Sequence, residues 1–198
     1  MLFLQCIIMM LSKIEEILTR LLSLFIILII SPILIVVYLL IIYFDGPPAV
    51  YKSKRMGFLN KEFTFYKFRT MTNNKDVSKR VITKFGRFLR RSSIDELPQL
   101  FNIMSGLMNF VGPRPLPKES YKTEQMKKYR LFRLSIKPGL TGLSQINTLG
   151  KPRSVDDKLK YDIEYIKSRN ILLDILIIIQ TISTLFRRFK VNKTGGTL

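Results

Sequence analysis

Histidine is absent from this 198-residue chain, and cysteine occurs once, at Cys6. Without histidine there can be no Ser-His-Asp triad, no Cys-His dyad and no histidine-ligated metal. A single cysteine excludes an internal disulfide framework and a thiolate zinc site. Acidic residues are scarce as well. Fourteen Asp and Glu stand against 33 Lys and Arg, a formal net charge of +19. Any catalysis must therefore run on a few carboxylates, on lysine, on tyrosine or on hydroxyls. The positive balance points to an anionic partner, either nucleic acid or an anionic membrane surface. A disordered basic tail does not fit, because 47% of the residues are hydrophobic. The length suits one domain, or one domain with a membrane segment.

The apolar residues are concentrated. Residues 21–44, LLSLFIILIISPILIVVYLLIIYF, carry no charge. As a straight helix they span about 36 Å, enough to cross a hydrocarbon core of roughly 30 Å. Ser31-Pro32 lies in the middle, where proline removes a backbone donor and predicts a kink between two arms, 21–31 and 32–44. A kinked span and a re-entrant hairpin both fit. Lys13 and Arg20 precede the segment, and Lys52, Lys54 and Arg55 follow it. Positive residues on both flanks put both ends on the cytoplasmic side, which favours the re-entrant form over about 14–44. Residues 1–11 are apolar, but no basic stretch precedes them and no small-residue cleavage site follows, so a cleaved signal peptide is not expected. The expected organisation is an N-terminal apolar region over 1–44, a cytoplasmic catalytic domain over 45–190 and a polar tail over 191–198.

Asp45-Gly46-Pro47-Pro48 is a turn cluster. Residues 49–51 and 63–68 predict two short strands of a hairpin, with Gly57 and Asn60 between them. Residues 76–91 predict a basic helix. A helix starting at Asp95 would put Pro98 in its first turn and Gly106 at its stop. Residues 118–134 predict a further helix and 137–147 a glycine-rich loop. Ser154 is the expected cap of a helix over 155–168. Residues 171–186 are apolar but contain Asp174, Gln180 and Thr181, which predicts an interfacial helix or one docked on the domain. The fold class expected is α+β, predominantly helical and membrane-associated.

Asp95 and Glu96 are the leading chemical candidates. A carboxylate can attack phosphorus or carbon and can hold a hard divalent cation. Acidic residues are also ordinary helix-start chemistry, and Ser93-x-x-Glu96 fits a capping box. Spacing alone favours that structural role. Arg90 precedes the pair, and Arg114 follows it between two prolines that fix its backbone. Lys67 and Arg69 close the second strand. Arginine's planar fork suits phosphate oxygens, while a solvated basic surface would use the same residues.

The order of these motifs resembles the monotopic phosphoglycosyl transferases, the bacterial sugar transferase family. The matching pieces are the Ser31-Pro32 break, GPPAVYKSKRMG (46–57), FTFYKFRTM (63–71), SSIDELPQLFNIMSG (92–106), MNFVGPRPL (108–116), KPGLTGLSQIN (137–147) and YDIEYIKSRNILLDILIIIQT (161–181). The likeness covers about residues 14–190 and corresponds to the minimal, catalytic-core type. It implies transfer of a sugar 1-phosphate from a nucleotide diphosphate sugar, a UDP-sugar being expected, to polyprenyl (undecaprenyl) phosphate at the cytoplasmic face of the bacterial inner membrane. It implies Asp95 as nucleophile and as the position of a Mg2+ cofactor, Glu96 as the second dyad member, and Arg90, Arg114, Lys67 and Arg69 as phosphate contacts. One departure stands out. The family's usual Gly-Arg after Asn147 is replaced by Thr148-Leu149-Gly150-Lys151-Pro152-Arg153, with Arg153 as the nearest substitute. A non-catalytic basic protein binding anionic lipid or nucleic acid would also explain the charge, but not the dyad. A CDP-alcohol phosphotransferase would need aspartates spaced along membrane helices, and the apolar segments lack them.

Overall fold

The computed structural model describes residues 2–148 and 154–191. Helix α1 runs Leu2–Asp45 with Pro32 inside it. One expectation is corrected here. The helix starts well before residue 14, because residues 2–13 continue the same apolar run. Ser31-Pro32 lies inside this one helix. Pro32 leaves the Leu28 carbonyl without its helical donor, and Ser31 Oγ donates to that carbonyl at 2.9 Å. The serine satisfies what the proline orphans, and the helix continues.

Ser23, Ile27, Ile30, Leu34, Val37 and Ile41 recur every three or four residues and make one stripe of α1. That stripe docks on the rest of the chain. Ile27 packs with Phe63, Phe65, Leu100, Ile103 and Met108. Leu34, Val37 and Ile41 pack with Ala49, Phe68 and Leu89. Ser23 Oγ donates to the Leu100 carbonyl at 2.8 Å. The opposite face leaves Leu21, Phe25, Leu28, Ile29, Val36 and Leu39 exposed. This long apolar helix, uncovered on one side, makes the protein membrane-associated.

Strands β1 (Val50–Met56) and β2 (Glu62–Phe68) form the expected antiparallel hairpin, from Val50 opposite Phe68 to Met56 opposite Glu62. The basic helix is shorter than its sequence pattern: α2 spans only Lys84–Ser92. Asp76 Oδ1 accepts from the Ser78 amide at 3.0 Å and hydroxyl at 2.7 Å, and Thr72 pairs with Val81, so residues 76–83 turn instead. Gly86 then passes so close to Thr70 that a Cβ would lie 2.1 Å from its carbonyl oxygen. A 3-10 turn (Ile94–Glu96) leads into α3 (Gln99–Met104), which Gly106 ends with φ +74°.

The predicted loop at 137–147 is instead a strand and a helix. Strand β4 (Gly139–Thr141) pairs in parallel with β3 (Asn109–Val111), and α5 (Leu143–Thr148) follows. Helix α4 covers Glu124–Arg133, after a separate 3-10 segment at Lys118–Lys122. Helix α6 (Val155–Ser168) starts on a capping box formed by Ser154 and Asp157. Helix α7 (Ile171–Val191) buries Ile177 with Val111 and Tyr165 while Leu172, Ile175, Leu176 and Ile179 stay exposed. It is docked on the domain, as one of the two sequence readings had it.

Candidate active site

A cavity of about 960 Å3 opens between the 94–96 turn, the proline connector after β3, and helices α5, α6 and α7. Lys67, Arg90, Asp95, Glu96 and Arg114 line one part of it, and Ile178 and Ile182 line another.

Asp95 is only 2% exposed. Ser93 makes no side-chain cap, and Pro98 occupies the N-cap position of α3. The capping-box expectation therefore fails. Lys67 is the cation at the dyad: its Nζ lies 2.5 Å from Asp95 Oδ2 and 3.6 Å from Glu96 Oε1. Lys67 reaches the dyad because β2 is fastened to α3. Buried Asn102 accepts from the Tyr66 amide at 3.2 Å and donates to the Thr64 carbonyl at 2.7 Å. Sequence reasoning missed Asn102. Its only signal was an amide on an otherwise apolar helix.

Arg114 holds Glu96 with both arms of its fork, Nη2 to Oε1 at 2.5 Å and Nη1 to Oε2 at 3.3 Å. The dyad is electrostatically split. Burial pushes the Asp95 carboxyl above its usual range, with Lys67 opposing. Burial acts the same way on Glu96, but Arg114, and after it Lys67, outweigh it and hold that carboxyl below the usual range. Arg90 lines the same cavity and donates through Nε to Thr70 Oγ1 at 2.7 Å.

Arg69 is a correction. It does not line the cavity. Its buried guanidinium turns to the end of α1, donating to the carbonyls of Pro47 at 3.1 Å, Asp45 at 2.7 Å and Gly46. These carbonyls end a helix and lack helical partners, which is why a buried cation settles there. The Gly-Arg departure falls at 149–153, outside the described residues.

Among the described residues no group of three or more His, Cys, Asp or Glu converges. Two adjacent carboxylates in a cavity fit a cation such as Mg2+ that is bound through one or two protein oxygens and completed by substrate phosphates. They do not make a cage of their own, and Lys67 lies between them.

A family model described as bacterial sugar transferase matches residues 10–188. The chain is 36% identical over 148 residues to a UDP-glucose:undecaprenyl-phosphate glucose-1-phosphate transferase of Xanthomonas campestris pv. campestris, covering 68% of this chain and 31% of that one. It is 37% identical to the galactosyl transferase CpsE of Streptococcus agalactiae, covering 70% and 34%. It is 39% identical to an uncharacterized sugar transferase, EpsL, of Bacillus subtilis, covering 69% of each. The chain thus spans about a third of the length of the first two relatives.

Proposed function

The chain belongs to the bacterial sugar transferase family, and we propose that it transfers a sugar 1-phosphate from a UDP-sugar to undecaprenyl phosphate, releasing UMP, as the first membrane step of a surface glycan. The observation that carries this reading is the dyad. A buried and a half-buried carboxylate are bracketed by Lys67, Arg90 and Arg114 in a cavity large enough for a nucleotide sugar.

In the first displacement the Asp95 carboxylate attacks the phosphorus that bears the sugar. The bond from that phosphorus to the bridging oxygen breaks, and the nucleoside monophosphate leaves with the electron pair. An acyl phosphate that joins the Asp95 carboxyl to the sugar phosphate remains. An oxygen of the polyprenyl phosphate then attacks the same phosphorus and returns Asp95 to its carboxylate. Lys67 releases Asp95 as the diphosphate arrives and follows its oxygens, while Arg90 and Arg114 offer planar forks to them. A Mg2+ held at Asp95 would neutralise charge on the phosphates when bound. Glu96, kept ionised by Arg114, is placed to take a proton or to orient that cation.

The topology is part of the proposal. The domain docks on α1 from Ser23 to Ile41, a path of about 27 Å along the helix axis. A helix crossing the bilayer upright would draw this docked domain into the hydrocarbon. A shallow, re-entrant path with both ends cytoplasmic keeps the cavity at the inner-membrane surface.

A panel of nucleotide sugars, incubated with the protein, Mg2+ and undecaprenyl phosphate, tests the reading. Acceptor-dependent release of UMP with one of the sugars is expected. No release from any member by folded protein would sink it.

A further inference from the structure

We propose that Arg133, together with Asp162, is a positioning residue for Arg114, fixing the backbone from which the Arg114 fork meets Glu96. The role in turnover rests on the transferase reading; the geometry does not.

Arg133 is 3% exposed, and so is Asp162. The guanidinium of Arg133 is used in three directions. Nε donates to Asp162 Oδ2 at 2.8 Å, Nη1 to the Tyr121 hydroxyl at 2.5 Å, and Nη2 to the Arg114 carbonyl at 2.5 Å. One side chain of α4 therefore joins α6, the 118–122 segment and the proline connector. The connector is pinned on both sides of Arg114 as well. The Gly112 amide donates to the Thr141 carbonyl at 2.9 Å, the Gly139 amide to the Pro113 carbonyl at 3.0 Å, and the Met56 amide to the Leu116 carbonyl at 2.9 Å.

Pro113 and Pro115 restrict the local backbone, but with no N–H of their own they cannot tie the connector to the domain, so its carbonyls must be held by other groups. The grip on the Arg114 carbonyl itself comes from Arg133. With its donors committed and almost no exposed surface, Arg133 has little to offer a substrate, although it forms part of the cavity wall. A buried ion pair contributes little net stability, because desolvation offsets the attraction. Its value here is the geometry it transmits.

Arg133→Lys keeps a positive charge for Asp162 but cannot reach three partners. We expect kcat/KM to fall by about tenfold, the scale of one charged hydrogen bond. In an Arg114→Lys background the same change should cost less than about twofold more, since coupled residues do not add. A loss of folded protein alone would lower activity equally in both backgrounds, so multiplicative losses would overturn the proposal. Where Arg133→Lys fails to fold, Asp162→Asn takes its place in the same cycle, retaining an acceptor for Nε without the charge, with the same expectation and the same overturning result. A second readout needs no turnover. In the wild type the Arg114 guanidinium NMR signals, assigned by their loss in Arg114→Lys, should be those of an ordered ion pair, and in Arg133→Lys (or Asp162→Asn) they should move toward those of a solvated arginine. Unmoved signals would overturn the proposal. Failure of every nucleotide sugar to turn over would defeat the transferase reading and leave this measurement standing.

Discussion

The Lys67 ammonium stands 2.5 Å from Asp95 Oδ2 and 3.6 Å from Glu96 Oε1, so one cation bridges both carboxylates of the resting site. Burial raises the Asp95 carboxyl above its usual range, and the Lys67 charge opposes that rise. The same contact ties up the oxygen a nucleophile would use. In the proposed mechanism the lysine opposes protonation of the aspartate and must also move aside.

Removing Lys67 should therefore change the pH dependence. In Lys67→Met, burial and the Glu96 charge still raise the Asp95 carboxyl, and the strongest opposing charge is gone. A nucleophilic Asp95 must be ionised, so the acidic limb of kcat/KM should move to higher pH. Lys67→Arg should keep the limb near its wild-type position. A pH–rate profile of the three proteins checks this, and an unmoved limb in Lys67→Met would refute the assignment.

A covalent intermediate makes a separate demand. Enzyme incubated with Mg2+ and radiolabelled nucleotide sugar, but no lipid acceptor, should retain labelled sugar phosphate that hydroxylamine removes. Asp95→Asn should retain none and should lose on the order of a hundredfold or more in turnover. Substantial turnover by Asp95→Asn, checked for deamidation, would exclude the acyl phosphate.

Arg69→Met tests the reassignment of that residue. If Arg69 serves only the carbonyls of residues 45–47, the variant should lose about 1.5–3 kcal/mol of stability, the worth of charged hydrogen bonds. Its kcat/KM per folded molecule should stay within about twofold of wild type. Chemical denaturation and active-site titration together decide it. A large loss of activity at unchanged stability would return Arg69 to the substrate.

The re-entrant path predicts the same accessibility for both ends of the apolar segment. In a Cys6→Ser background, cysteines introduced at Lys13 and Lys54 should both react with a thiol reagent only after the inner membrane is permeabilised. Labelling of either one from outside would show that α1 crosses the bilayer.

The hairpin, the cap at Ser154 and the stop at Gly106 were legible because each is encoded within a few residues. What misled was local chemistry answering to distant partners. Asp95 and Glu96 read as a helix start, but Lys67 and Arg114 lie 28 residues before and 18 residues after them in sequence. Residues 137–147 read as a loop because a three-residue strand carries no period of its own; its partner is β3, some 30 residues earlier. Arg69 looked like its neighbour Lys67, yet the two lie two residues apart on β2 and its continuation and meet different elements. The Arg133–Asp162 pair did leave a trace. Met126, Tyr129 and Arg133 share a helix face by spacing, as do Leu159, Asp162 and Ile166, so each apolar stripe contains one charge that needs a partner.

Ser23, Ile27, Leu34, Val37 and Ile41 belong to the anchor by sequence and to the core by contact. No cut between them yields an enzyme that floats free. Trimming α1 would strip the cover from Phe63, Phe65, Phe68 and Leu89, leaving a fragment that aggregates rather than dissolves. Protease nicking in the 45–48 turn would likewise leave the two pieces attached. The anchor and the fold are therefore one cooperative unit: what loosens the hold of α1 on the domain also unfolds the domain.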